Sequence, residues 1–305
     1  MRTAVVMNPR SAGGRTGRTW KRIRPQLEAA CGPVAAFETE APGHGIRLTS
    51  DAVRSGFSRI LAFGGDGTLN EVVNGVLTAG PEPNAEVGLI PQGTGSDFRR
   101  ALGMPLDATG AIGIIRAGKT KYLDVMKVAY TLADGAGATR YAINLTSFGM
   151  GGRVAARANR SSKPLGGRVT FLAATLVTAL GYRGDRVSLE LDEVAIADVR
   201  ITNVAVGNGP YHGAGMRVCP RAAVDDGLLD VSVITKLSPW ELLTSGRYMF
   251  NGRIYEHPKV RFHRTSKLVA RAVEGTSAIE IDGEALGYLP IRIEVVPRAL
   301  RMIVP

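Results

Sequence analysis

Three stretches of this chain combine glycines with hydroxyl, amide or acidic side chains, each directly after a β-type run. The strongest is Gly64-Gly65-Asp66-Gly67-Thr68-Leu69-Asn70-Glu71, between the run Arg59–Phe63 and a helical segment. Glycines there admit positive φ and close backbone approach, and the first N–H groups of the following helix point at whatever binds. Phosphate is the natural guest. Thr68 and Glu71 have capping-box spacing, which predicts the helix start. An acidic Asp66 inside a phosphate loop calls for a screening divalent cation, and Mg²⁺ held by few carboxylates fits. Pro91-Gln92-Gly93-Thr94-Gly95-Ser96-Asp97-Phe98 and Asn8-Pro9-Arg10-Ser11-Ala12-Gly13-Gly14 repeat the pattern. One such loop could be an ordinary turn; three at one sheet edge point to a nucleotide.

The elements that must carry these loops alternate over the first 130 residues or so. Thr3–Met7, Val34–Thr39, Arg59–Phe63, Glu86–Pro91 and Tyr122–Val128 read as strands with helices between them, the pattern of a parallel sheet covered on both faces. Ligands of such sheets sit beyond the strands' carboxyl ends. After Asp124 the texture becomes antiparallel: Arg140–Leu145, Arg186–Leu191, Val199–Val206, Gly227–Ile234, Lys267–Ala272 and Ala278–Ile281, with helical inserts Arg153–Asn159, Phe171–Tyr182 and Pro239–Met249. Leu300–Val304 could return to either sheet. The expected fold is α/β: a Rossmann-like parallel-sheet domain over 1–123, open to completion by 297–305, and an antiparallel β-sandwich domain over 124–296.

Other motifs weigh less by themselves. Val224-Asp225-Asp226-Gly227-Leu228-Leu229-Asp230 reads as a polar turn before a strand, and Ile281-Asp282-Gly283-Glu284 as a hairpin signal. His212, in Gly207–Met216, reads as an exposed loop histidine. Gly113–Thr120 matches the P-loop expression, but it closes a helix at Gly118 instead of opening one after a strand. No Ser-His-Asp or Cys-His set is present, so no covalent nucleophile is called for.

Together the loops resemble the diacylglycerol-kinase catalytic family, which holds bacterial lipid kinases with sphingosine and ceramide kinases. The resemblance rests on Asn8-Pro9 with Gly13, on Gly65-Asp66-Gly67-Thr68 with Asn70 and Glu71, and on Gly93-Thr94 with Asp97. It implies an NAD kinase/phosphofructokinase-like first domain binding ATP near Asn8, Pro9, Thr39, Gly64, Gly65, Asp66, Gly67, Thr68, Asn70, Glu71, Gly93 and Thr94. It further implies Mg²⁺ on Asp226 and the carbonyls of Ala223 and Leu228, organised with Asp66 and Asp97. The general base falls to Asp282 or Glu284, which the residues alone do not separate. Ser96 stands where the family usually has Asn, and His212 where glycine is common. The implied reaction moves the ATP γ-phosphate to a lipid hydroxyl, diacylglycerol first. Sphingoid bases, phosphatidylglycerol and NAD remain as other acceptors.

The formal net charge is +11 with 45% apolar and 21% charged residues, which excludes disordered and fibrous classes and favours an anionic partner. Arg153, Arg157, Arg160, Lys163, Arg168 and Arg183 lie in an acid-free stretch, suited to anionic headgroups at a membrane surface, with Phe171–Leu180 dipping into the interface or lining an acyl pocket. Aromatics at 6% argue against a nucleic-acid stacking surface. Two cysteines, no signal-peptide pattern and no spanning segment suggest a cytoplasmic, peripherally membrane-associated enzyme. Monomer and homodimer both stay open.

Overall fold

The computed structural model of the chain describes residues 1–80, 85–92, 97–160, 167–213 and 215–305. The chain divides into two compact units, Met1–Asp124 with Arg298–Pro305, and Val125–Pro297.

The first unit contains β1 (Thr3–Met7), α1 (Arg15–Cys31), β2 (Val34–Glu38), α2 (His44–Arg54), β3 (Arg59–Gly64), α3 (Asp66–Thr78), β4 (Glu86–Pro91), α4 (Asp97–Ala101) and α5 (Ala108–Ala117). β1 pairs in parallel with β2 and β3, and β3 with β4. Every residue of β1 and β4 is buried. Their runs of Ala, Val, Leu and Ile suit strands covered on both faces. Trp20, Ile23 and Leu27 of α1 and Ile115 of α5 share a core with Leu61 and Phe63 of β3. Helix α5 starts on Asp107, whose carboxylate accepts the Gly110 N–H at 2.7 Å, and stops at Gly118 with φ 67°. The P-loop expression therefore lies across a helix end.

The second unit follows with β5 (Thr120–Thr131), which crosses the boundary, then β6 (Gly137–Ala142), β7 (Leu145–Gly149), α6 (Met150–Arg160), α7 (Gly167–Gly181), β8 (Asp185–Leu191), β9 (Val194–Gly207), β10 (Leu229–Thr235), α8 (Pro239–Phe250), β11 (Val260–Thr265), β12 (Lys267–Ala272), β13 (Ala278–Ile281) and β14 (Glu284–Ile303). Antiparallel pairings run β7–β13–β14–β12–β8–β9 and return to β7, so six strands close a barrel. Closure removes the unpaired edges that an open sheet must protect. Phe148, Leu189, Ile201, Leu268, Ile279 and Ile291 belong to its fully buried core. β10 and β11 extend from β9, while β5 pairs with β6.

The expected fold class is corrected on these observations. The antiparallel strands form a closed barrel, not a sandwich, and a self-contained Rossmann-like domain is not what residues 1–123 form. β4 has Met302 of β14 paired in parallel with Val87, and Leu300, Met302 and Ile303 are buried at 0–1% exposure. The strand patterns alone could not show closure, because alternating runs look alike in a sandwich and a barrel. The deciding pairings join residues far apart in sequence, and register shifts at Val187/Leu189 and Ile279/Glu280 interrupt two of the ladders. The run expected as Arg140–Leu145 is also two strands, broken at Ile143-Asn144.

Candidate active site

In the first unit the carboxyl ends of β1, β3 and β4 lie side by side, with Met7 paired to Phe63, Phe63 to Ile90 and Gly64 to Pro91. The loops that begin at Asn8, Gly65 and Gln92 therefore leave from one edge. Thr39 leaves β2 there as well, its N–H donating to the Met7 carbonyl at 2.8 Å. The Asn8 carboxamide accepts the Arg10 N–H, and Ala12, Gly13 and Gly14 follow with φ of 53°, 67° and 78°. Such successive left-handed residues bend the backbone into a concavity of the kind that receives anions. Pro9 packs on Gly17 of α1, where a Cβ would come within 3.3 Å of it.

The Gly64–Glu71 stretch divides by role. A Cβ on Gly64 would meet Thr68 Oγ1 at 2.4 Å, so that glycine is required by packing, whereas a Cβ on Gly65 would meet only Gln92 O at 3.9 Å. The open position sits at the N-cap of α3, where Gly65 brings no side chain to cap the helix. Helix α3 thus presents its first N–H groups towards the edge. The cradle fits a phosphate chain. The expected Thr68/Glu71 capping box is absent: α3 starts at Asp66, placing Thr68 inside the helix. Glu71 instead accepts from the Gly43 N–H at 2.8 Å and the Gly45 N–H at 2.7 Å, capping α2 from outside. Asn70 is buried, and its carbonyl and carboxamide oxygens accept from the Asn74 amide.

Asp66 Oδ2 accepts the Asp97 N–H at 2.8 Å, and Asp97 pairs with Arg100 at 2.5 Å. The two acids are brought together. Gly93 and Thr94, with Ser96, lie outside the described residues.

In the second unit the tightest polar construction surrounds the Asp282-Gly283 turn. Ile281 pairs with Glu284 across it, and φ is 46° at Asp282 and 89° at Gly283, the positive pair of a two-residue hairpin turn. Asp282 Oδ1 accepts the N–H groups of Asn144 (3.1 Å) and Leu145 (2.9 Å), and Oδ2 accepts that of Ile143 (2.9 Å). It thereby satisfies the gap between β6 and β7. The Gly207–Tyr211 loop joins the same knot: Asn208 donates from Nδ2 to the Ile143 carbonyl at 2.8 Å, and Asn144 from Nδ2 to the Tyr211 carbonyl at 2.9 Å. Below the turn, buried Glu280 accepts from Gly283 N–H and Ser147 Oγ, both at 2.7 Å, with His212 Nε2 3.4 Å away. His212 is consequently not an exposed loop histidine; its side chain is 15% exposed and faces a carboxylate.

Glu284 differs from Asp282. Its carboxylate meets Arg140 at 3.5 Å and is about one-third exposed. Of the two acids, Asp282 has both oxygens engaged by backbone N–H groups, and Glu284 has its side chain partly exposed. Arg140, Asn144, Asn208 and Glu280 escaped the sequence reading. The only local signal was a pair of polar Asn residues interrupting apolar β-runs.

Asp226 lies on an exposed turn, where its Oδ1 accepts the Leu228 N–H at 3.1 Å and its other oxygen pairs with Arg264. Asp230, four residues on, is buried and accepts from the Tyr255 hydroxyl at 3.1 Å; burial raises its carboxyl above the usual range. Among the described residues no group of three or more His, Cys, Asp or Glu side chains is arranged to hold a metal. Asp226 with the Ala223 and Leu228 carbonyls is an all-oxygen set of the type Mg²⁺ accepts.

Two family profiles cover the chain: the diacylglycerol kinase catalytic domain matches residues 2–128, and the YegS C-terminal NAD kinase beta sandwich-like domain residues 144–304. A Pseudomonas aeruginosa protein named "Probable lipid kinase YegS-like" is 31% identical over 99% of this chain and 93% of its own length. The chain belongs to the YegS-like lipid kinase family. A relative of the same name from Stenotrophomonas maltophilia is 28% identical over 100% of this chain and 96% of its own. The crystal structure of a diacylglycerol kinase from Bacillus anthracis has a TM-score of 0.73 at 23% identity, covering 100% of this chain and 97% of that one. An Archaeoglobus fulgidus NAD kinase solved with ATP follows at 0.52 and 15%, covering 99% and 93%. As a YegS-like lipid kinase the chain is an enzyme, and its kinase chemistry implies a nucleotide donor. Among the described residues no helix is long and apolar enough to cross a membrane.

Proposed function

We propose that this YegS-like kinase transfers the γ-phosphate of ATP to a lipid hydroxyl, with diacylglycerol as acceptor, Glu284 as general base, and the reaction taking place at an anionic membrane surface. The observation that carries the base assignment is the division of labour in one turn: Asp282 engages both oxygens with three backbone N–H groups, while the Glu284 carboxylate, paired with Arg140 at 3.5 Å, stays about one-third exposed. A carboxylate within reach of the acceptor hydroxyl orients it and takes its proton as the phosphoryl group transfers in line. Arg140 fixes the position of that carboxylate. The loops after β1 and β3 hold the triphosphate through backbone N–H groups, with Thr39 at the same edge of the first unit. Asp226, with the carbonyls of Ala223 and Leu228, would hold Mg²⁺ once Arg264 gives way. Bound there, the ion supplies neutralisation of phosphate charge.

The test is labelled ATP with Mg²⁺ and mixed micelles of diacylglycerol, sphingosine, phosphatidylglycerol or ceramide, with soluble NAD alongside. Diacylglycerol should be the best acceptor, and Glu284→Gln should lower turnover by 10²-fold or more, a typical general-base contribution. Phosphorylation of NAD and of no lipid would overturn the acceptor class. Wild-type turnover in the Glu284→Gln variant would overturn the base.

A further inference from the structure

The second unit carries a surface that the proposed reaction does not use. From Phe171 to its end at Gly181, helix α7 is uncharged, and Tyr182 follows it directly. Ala174 and Tyr182 turn inward onto Met150, Val154 and Ala158 of α6. On the opposite side Leu176, Val177 and Leu180 stand out at 57%, 51% and 79% exposure, spaced to share one helical face. A helix facing water carries polar residues there.

Basic groups border this face. A pocket of about 200 Å³ between α6 and α7 is lined by Arg153, Arg157, Val177, Thr178, Gly181 and Tyr182. The Arg153 guanidinium lies 5.1 Å from the Tyr182 ring centre and pairs with Asp185 at 3.1 Å. Lys236 lies 5.7 Å from the same ring and donates to the Tyr182 carbonyl at 2.7 Å. Arg153 and Arg157 thus bring two guanidiniums to the pocket that Val177 of the exposed apolar face also lines. Apolar residues flanked by guanidiniums complement a surface with acyl chains below and phosphates above.

We propose that the α6–α7 face docks on anionic phospholipid bilayers, with Leu176, Val177 and Leu180 entering the acyl boundary and Arg153 and Arg157 holding headgroup phosphates. The inference rests on the reading that the acceptor resides in a bilayer. Guanidinium forks suit phosphate oxygens, and the pocket opens beside the apolar face that the bilayer covers.

The experiment is co-sedimentation of the full chain, without ATP, with vesicles of phosphatidylcholine alone or mixed with phosphatidylglycerol. Binding is expected to require phosphatidylglycerol. Leu180→Ser should weaken it about tenfold, in line with one leucine leaving an apolar phase. Arg157→Gln should weaken it about fivefold, the worth of one basic group near the surface. Both sites are at the surface, so unchanged thermal melting shows that the fold is kept. Equal binding of the two variants and wild type, or equal binding to both vesicle types, overturns the proposal. So does capture of inorganic phosphate by a wild type that ignores vesicles. Because no turnover is read, failure here is separate from failure of the lipid-kinase reaction in micelles.

Discussion

Asp282 and Glu284 are two residues apart, yet a substitution at each should be read by a different instrument. Asp282 occupies a left-handed backbone position and supplies three hydrogen bonds to the Ile143–Leu145 gap. Asn keeps one acceptor oxygen, so Asp282→Asn leaves at least one part-buried N–H without its acceptor, at a cost of about 1–3 kcal/mol. Urea unfolding should show a lower midpoint at unchanged slope. Glu284→Gln keeps the size of a side chain that is about one-third exposed, so its midpoint should stay near wild type while turnover collapses. Glu280→Ala belongs with Asp282: Gly283 N–H and Ser147 Oγ lose a buried acceptor, again about 1–3 kcal/mol. The Asp-Gly pair was legible as a turn because its chemistry is local. Its partners were not, since Asp282 and Leu145 are 137 residues apart and no local pattern records that distance.

At the scale of elements, carboxylates cap helices, and for Glu71 the expected pairing was wrong. Thr68 and Glu71 have capping-box spacing, but Asp66 already begins α3, so Glu71 faces sideways and caps α2 at Gly43 and Gly45. Spacing reveals that a glutamate can cap, not which helix it will find. Glu71→Ala should therefore destabilise the fold by about 0.5–2 kcal/mol, visible in a thermal melt without any nucleotide present. Gly45→Ala should act in the same direction, because the new Cβ would meet Glu71 Oε2 at 2.4 Å. Helix α8, expected over Pro239–Met249, runs over Pro239–Phe250: Ser238 and Glu241 form a complete capping box, with Pro239 in the first turn. Lys259, followed by the Ser238 N–H, holds the Glu241 carboxyl down from 4.5 to about 2. A lowered carboxyl pKa stabilises the fold above the unfolded value and loses that contribution as pH falls through the folded one. The melting temperature of Glu241→Gln should accordingly lie below wild type at neutral pH, with the gap closing between pH 4.5 and about 2.

For the molecule as a whole, what the local patterns left open was how chain segments complete one another. The parallel strands near the start were recognisable from buried β-branched runs, but the partner of β4 arrives almost at the other end of the chain. Leu300, Met302 and Ile303 are buried, Met302 pairs with Val87, and the Arg298 N–H donates to Asp124 at 2.8 Å. The barrel needs the same long strand, with β14 pairing both β12 and β13. A fragment ending at Asp124 therefore lacks an edge of its own sheet. Each buried aliphatic side chain of this kind is worth roughly 1.5–3 kcal/mol. Losing three of them together with a strand of backbone pairing approaches the whole stability of an ordinary domain, about 5–15 kcal/mol. Deleting Arg298–Pro305 should consequently unfold the first unit even though the nucleotide loops remain intact in sequence. Hydrogen exchange is the direct measurement: amides of β3 and β4 should lose protection in the truncated chain, while those of β8 and β9, which pair with each other inside the second unit, should keep theirs. Protection of β4 equal to that in the full chain would show that the last strand is an ornament and that the first 124 residues fold by themselves.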